Sequence, residues 1–285
     1  MVDKDYWLTR VLRRLSAEMP REFLFKGGTS LSMGYSLIDR FSEDIDLLVT
    51  SDSADAAIAD IVALAEEELG ESPATVSESE ARKFLIFSFP ATARAPERLK
   101  NHRSIRVDLG AQGGDHPNEM REIVPIARGL VEARGLATED EDLQSFSVQV
   151  LHPARTCLEK LEAVHSASLD LNAGERGPFV SRDGKHPYDV FQILGHQPSI
   201  DILSDSGERL KMIEAIDDAN RKWFGGPSKR PERGYAHSPA FRDAELSQQL
   251  SEATTRAMDS YLWPGADKPT WDDILARVVD SEDLL

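Results

Sequence analysis

Apolar positions along this chain follow first one period and then another, and the change between them outlines the fold. Trp7, Leu8, Val11, Leu12 and Leu15 recur at helical spacing and Pro20 follows, which predicts an amphipathic packing helix over residues 5 to 18. A short apolar run, Phe23 to Phe25, breaks at Gly27 and Gly28 and reads as a buried strand entering a turn. In the next run Ile45, Leu47 and Val49 alternate with Asp44 and Asp46. Strand period therefore puts both carboxylates on one face and the apolar side chains on the other. DSADAAIADIVALAEEELG predicts a helix ending at Gly70, and GESPATVSES after it reads as a loop. FLIFSFP at 84 to 90, SIRVDLG at 104 to 110 and SFSVQVLHP at 145 to 153 read as further strands. In the second of these, Ile105 and Val107 alternate with Arg106 and Asp108, which leaves Asp108 on a polar face.

From residue 153 onward the period is helical. ARTCLEKLEAVHSA lines Lys160 up with Cys157 and Val164 on the partly apolar side of a helix. A lysine in that position either snorkels to solvent or has a function. A Gly- and Pro-bearing loop is predicted from Asp170 to Lys185, and a helix opening near Tyr188, where Asp189 could act as a cap. GERLKMIEAIDDANRKWF and AELSQQLSEATTRAMDSYLW predict two more packing helices. The expectation is an α/β (α+β) domain with a mixed sheet over residues 1–152, followed by a mainly helical domain over 153–285.

Composition narrows the functional classes. A chain of 285 residues is long enough for two cores. No apolar run reaches the roughly 18 residues of a membrane span, and the N-terminal MVDKDYWLTR lacks an apolar signal segment, so a cytoplasmic location is expected. The single cysteine, Cys157, excludes an intrachain disulfide and any all-cysteine metal site. A formal charge of −17 argues against general affinity for nucleic acid. Charge is uneven, however: Arg82, Lys83, Arg94, Arg98, Lys100, Arg103 and Arg106 stand against a lone acid, Glu97, between residues 82 and 106. Such a span can grip a phosphate backbone locally, or can be scattered surface arginines.

The chemistry concentrates in residues 23 to 49. Two carboxylates on one rigid strand face suit Mg²⁺, which takes one or two carboxylates together with substrate phosphates. Glycine N–H groups with no Cβ in the way can cradle a polyphosphate.

These residues resemble a known family. A strand, Gly-Gly-Thr, a short helix and then Asp-x-Asp is the pattern of DNA-polymerase-β-like nucleotidyltransferases. The longer strings KGGTSL and RFSEDIDL resemble the AbiEii/AbiGii toxins, MenT-like enzymes of type IV toxin–antitoxin and phage-abortive-infection systems. LEKLEAVHSA followed by SRDGKHPYDVFQIL is similar to the family's second block, with Lys185 and His186 in place of Arg-His and Pro187 in place of an aromatic residue. The resemblance covers about residues 20 to 195. It implies Mg²⁺ on Asp44 and Asp46, with Asp108 a candidate third ligand, and an NTP held by Gly27, Gly28, Thr29, Ser42 and Lys160, with Lys26 adding charge. It implies that Asp189 orients Lys160 or a substrate group. It further implies nucleotide transfer to RNA, in studied relatives the 3′ acceptor end of tRNA, and a separately encoded antitoxin. In that reading Arg82, Lys83, Arg98, Lys100 and Arg103 would hold the RNA. Transfer to a protein hydroxyl or a small molecule, or non-catalytic nucleotide sensing on the same fold, stands as the alternative.

Overall fold

The computed structural model describes residues 2–42, 44–79, 82–89, 104–110, 113–223 and 229–285. The chain divides into two compact units: Met1–Tyr35 with Ser42–Leu151, and Ser36–Phe41 with His152–Leu285.

The first unit opens with α1 (Val2–Glu18), which buries Leu8, Val11, Leu12 and Leu15, the stripe its spacing predicts. There follow β1 (Phe23–Lys26), α2 (Gly27–Met33), β2 (Asp44–Val49), α3 (Ala54–Leu69), β3 (Ala74–Ser79), β4 (Arg82–Ser88), β5 (Ser104–Gly110), β6 (Asn118–Ile123), α4 (Ile126–Glu132) and β7 (Phe146–Leu151). The strands form one sheet in the order β3-β4-β5-β2-β1-β7-β6. It is mixed: β2 runs parallel to β5 and β1 parallel to β7, while the other neighbours are antiparallel. α3 stops at Gly70, where φ is +75° and the N–H bonds back to the Glu66 carbonyl, a conformation glycine adopts without a Cβ penalty.

One face of the sheet carries Phe25, Ile45, Leu47, Leu85, Val107 and Leu109 into a core shared with α1 and α3. Burying a side chain of this size is worth about 1.5–3 kcal/mol. A one-residue slip of β2 would put Asp44 and Asp46 into that core and Ile45 and Leu47 outside it. The hydrophobic layer therefore fixes which face bears the carboxylates.

The second unit is helical: α5 (Pro153–Asn172), α6 (Ser181–Ile193), α7 (Gln197–Ser204), α8 (Ser206–Trp223), α9 (Pro239–Arg242), α10 (Ala244–Tyr261) and α11 (Trp271–Asp280). His152 caps α5 through Nδ1, which accepts from the Ala154 N–H at 3.2 Å, and Pro153 takes the first turn. α6 and α10 cross at Gly184, where a methyl group would run into the backbone of Ala253 and Thr254. Ser36–Phe41 belongs here because its backbone is tied here: the Phe41 N–H donates to Tyr261 O (2.8 Å), the Trp263 N–H to Asp39 O (2.9 Å) and the Asp39 N–H to Tyr188 Oη (3.2 Å).

Several local expectations need correction. The predicted loop GESPATVSES contains β3, and NEMREI, which has no clear period, forms β6. Both are edge strands, where charged and polar residues are tolerated and discourage pairing with other chains, so hydrophobic alternation does not reveal them. The loop predicted from Asp170 to Lys185 shrinks to residues 173–180, because α5 continues to Asn172 and α6 begins at Ser181. Asp183 starts that helix by accepting from the Val180 N–H at 2.8 Å. Pro187 therefore lies inside α6 and not in its first turn, at the loss of one ladder bond.

Candidate active site

On the sheet face opposite the core, strand pairing arranges the charged residues in rows. Lys26 of β1, Asp46 of β2 and Asp108 of β5 are direct cross-strand neighbours, and Asp44 is paired with Arg106 in the adjoining row. Arg106 grips Asp44 with two prongs: Nε donates to Oδ1 at 2.6 Å and Nη2 to Oδ2 at 3.2 Å. Both side chains keep about a third of their surface in water, 35% for Arg106 and 29% for Asp44.

Asp46 lies against the glycine turn. Gly27 has φ +76°, and a Cβ placed on it would land on the Asp46 carboxylate. Only glycine both adopts that conformation readily and leaves the space. α2 begins at Gly27, so Lys26 holds the cap position and Thr29 is inside the helix. The Thr29 side chain is buried, with its hydroxyl donating to Asp44 O at 2.5 Å and lying 2.8 Å from Ser42 Oγ. Thr29 and Ser42 thus tie α2 to the start of β2, and their hydroxyls are engaged in holding the scaffold.

Among the described residues no group of three His, Cys, Asp or Glu side chains converges as a closed metal cluster. Asp108 neighbours Asp46 by register but does not complete such a cage. What the face offers is two hard carboxylate oxygen donors on one strand beside a glycine turn. That fits Mg²⁺, which keeps several waters and completes its shell with substrate phosphates.

A second constellation lies within the helical unit. Asp189 is fully buried in the interior of α6, so it is no cap. Arg40 holds it in a fork, Nε to Oδ1 and Nη2 to Oδ2, both at 2.6 Å, and Lys160 of α5 adds its Nζ to Oδ2 at 2.8 Å. Lys160 keeps only 9% of its side-chain surface, so it does not snorkel. Burial alone would raise the Asp189 carboxyl, but Arg40 and Lys160 hold it well below the ordinary carboxylate range. It stays ionised and acts as an anchor, not a proton carrier. One turn earlier on α6, the His186 Nδ1 is buried and has no hydrogen-bond partner among the described residues. Burial, then the charge of Lys160, pushes this imidazole down to about 3, which keeps it neutral. Next to it, the Lys185 ammonium lies 3.8 Å from the centroid of the Tyr261 ring. Burial pushes the Cys157 thiol up to about 12, so it is an inert core group.

Sequence reasoning missed the clamp from Arg40. The signal was an arginine inside RFSEDIDL, but its partner lies 149 positions away. It missed the Arg106 fork on Asp44 as well, although the alternation in SIRVDLG places Arg106 on the polar face.

The family model for the nucleotidyl transferase AbiEii toxin of type IV toxin–antitoxin systems matches residues 10–277. The chain belongs to the AbiEii family. It is accordingly a nucleotidyltransferase toxin, and the α/β architecture is that of solved nucleotidyltransferase toxins. MenT4, a nucleotidyltransferase toxin from Mycobacterium tuberculosis, superposes with a TM-score of 0.53 at 14% identity, covering 99% of this chain and 91% of its own. JHP933 from Helicobacter pylori does so with a TM-score of 0.51 at 13% identity, covering 99% of this chain and 90% of its own. At such identity the likeness is one of fold. No curated protein matches the chain.

Of the basic residues nominated for RNA, only Lys83 has a described side-chain environment. Arg94, Arg98, Lys100 and Arg103 lie outside the described residues, and Arg82 is placed only as the first residue of β4. Lys83 pairs with Leu109 and so takes the core-side face of the sheet, opposite the carboxylates. Arg106 is engaged with Asp44. Farther along, Arg221 is paired with Asp218 at 2.6 Å.

Proposed function

We propose that this AbiEii protein is a Mg²⁺-dependent transferase that moves a nucleotidyl group from an NTP to RNA, at the tRNA 3′ acceptor end, and is countered by a separately encoded antitoxin. The observation that carries this reading is the Asp46 carboxylate seated on the Gly27 turn with Asp44 beside it on the same strand face. When bound there, Mg²⁺ would screen the triphosphate and lower the pKa of an attacking hydroxyl. Asp44 and Asp46 would hold it, and Asp108 would add negative charge from the next strand. Gly27 gives the Asp46 carboxylate room to rest on the turn, while Thr29 and Ser42 keep α2 seated on β2. Lys160, steered by Asp189 and Arg40, supplies a fixed ammonium for a phosphate. Phosphoryl transfer needs mainly positioning and charge stabilisation, which these groups provide.

The deciding experiment incubates the protein with each α-labelled NTP and Mg²⁺ in the presence of total tRNA, total protein or a small-molecule fraction. Label entering tRNA, lost with EDTA and in Asp44→Asn or Asp46→Asn, supports the reading. Label entering only protein or small molecules defeats the tRNA assignment. A specific observation keeps that runner-up alive: Lys83, one of the basic residues nominated for RNA, faces away from the carboxylates, and Arg106 of the same basic span is already paired with Asp44. Among the described residues no helix is long and apolar enough to cross a membrane.

A further inference from the structure

We propose that Arg106 is a built-in counter-ion for Asp44, which gives up the carboxylate to the divalent cation and turns its guanidinium to the nucleotide phosphates. The inference rests on the metal-site reading above and adds a residue that the reading does not use.

The geometry is specific. Parallel pairing of β2 with β5 sets Asp44 directly beside Arg106, and the guanidinium covers both carboxylate oxygens, at 2.6 and 3.2 Å. A cation ligated by Asp44 needs one of those oxygens, so it competes with the fork for the carboxylate. The fork also has a reason to exist. Asp44, Asp46 and Asp108 share one face of two neighbouring strands, and without a metal their mutual repulsion calls for nearby positive charge. Arg106 supplies it directly on Asp44.

The same contact is built to be released. With about a third of each side chain in water, the pair is screened, unlike the buried Arg40–Asp189 fork. A pair this exposed withholds the site from metal by about two- to fivefold in affinity. A guanidinium carries five N–H donors, and among the described residues Asp44 is its acceptor for two. Once displaced, it remains on the carboxylate face with its whole fork available, and that fork matches a phosphate as well as it matches a carboxylate. With nucleotide bound, the arginine would exchange one anion for another.

The test titrates Mn²⁺ into the nucleotide-free full-length chain and reads free Mn²⁺ by electron paramagnetic resonance. Arg106→Gln should bind Mn²⁺ about two- to fivefold more tightly than wild type. At saturating Mn²⁺ it should bind α,β-non-hydrolysable NTP analogues more weakly, as followed by calorimetry with each of the four bases. Lys83→Gln removes the same charge from the opposite sheet face and should leave Mn²⁺ affinity at the wild-type value. Arg106→Met, which keeps the aliphatic stem, replaces the Gln variant if thermal melting shows that variant unfolded. Equal Mn²⁺ affinity in Arg106→Gln and wild type overturns the proposal. So does equal tightening by Lys83→Gln, which would reveal a general charge effect, and so does unchanged nucleotide affinity at saturating metal. Asp46→Asn separates the two readings: if it binds Mn²⁺ like wild type, the metal site itself is misassigned, whereas loss of binding there with unaltered Arg106 variants sinks the exchange alone.

Discussion

Two arginine–aspartate forks in this molecule look alike on paper and differ in physics. Arg106 and Asp44 meet on an open sheet face with about a third of each side chain in water. Arg40 and Asp189 meet where the side chains keep 5% and 0% of their surface, with Lys160 joining them. Water makes the first pair cheap to separate, so its charges can be lent to a ligand. Its absence makes the second pair costly to disturb, so those charges are fixed and serve to position Lys160. In the function proposed above, the first kind supplies carboxylates that change partners and the second holds the Lys160 ammonium still within the helical unit.

The largest effect should come from breaking the buried fork. Asp189→Asn leaves Arg40 and Lys160 buried without their counter-charge, and removal of one member of a buried ion pair typically costs about 3–5 kcal/mol. Urea unfolding should show a loss of that order, and a change under about 1 kcal/mol would mean that water reaches the cluster. Next in size is a pH effect in the same place. His186 is held neutral down to about 3 in the fold, by burial first and then by Lys160, with Arg40 and Lys185 acting the same way and Asp189 opposing them. An unfolded histidine titrates near 6.5. Above that value neither state takes a proton and His186 adds no pH dependence. Below it the unfolded chain binds a proton that the fold refuses, so stability should fall with pH between about 6.5 and 3, by about 1.4 kcal/mol per unit. Comparing wild type with His186→Gln at pH 7 and pH 5 isolates this residue, and parallel losses in the two proteins would show that the imidazole is solvated.

The third test asks where the open face stops being forgiving. Gly27→Ala forces a non-glycine residue to φ +76° and drives its methyl group into the Asp46 carboxylate. The backbone cost is about 1–2 kcal/mol. Transfer activity should fall further than stability does, because Asp46 must move from the turn it rests on. A Gly27→Ala protein with full activity would show that the carboxylate position against the turn is immaterial.

These contrasts also mark what could be read from sequence. The helix of Leu8, Val11, Leu12 and Leu15 and the strand alternation in DIDLLV and SIRVDLG were legible because the period of burial is written locally, and the two family blocks were legible by resemblance alone. The edge strands β3 and β6 were not, since an edge needs no apolar face and is chosen by the neighbour it pairs with. Nor was the fate of RFSEDIDL. Its Arg40 goes with the helical unit and its Asp44 with the sheet, because backbone bonds to Tyr261, Trp263 and Tyr188 capture residues 36–41. Linear adjacency in a motif does not assign its residues to one place, and long-range pairing leaves no local mark.

The smallest expected effect puts the comparison itself to the test. A double-mutant cycle on Asp44→Asn and Arg106→Gln, measured by urea unfolding without metal, removes each partner singly and then both, so the coupling between them is separated from what each does elsewhere. For an ion pair this exposed the coupling should be about 0.2–1 kcal/mol and should shrink as salt is raised, because the surrounding water and ions already screen it. The matching cycle on Arg40→Gln and Asp189→Asn should give a larger coupling that salt barely changes, because a fork with 5% and 0% of its surface exposed is out of reach of mobile ions. Each single variant on the open face should stay within about 1 kcal/mol of wild type, so both folded proteins remain available for binding experiments. Equal couplings at the two forks, with equal salt dependence, would show that exposure does not separate lent charges from fixed ones here.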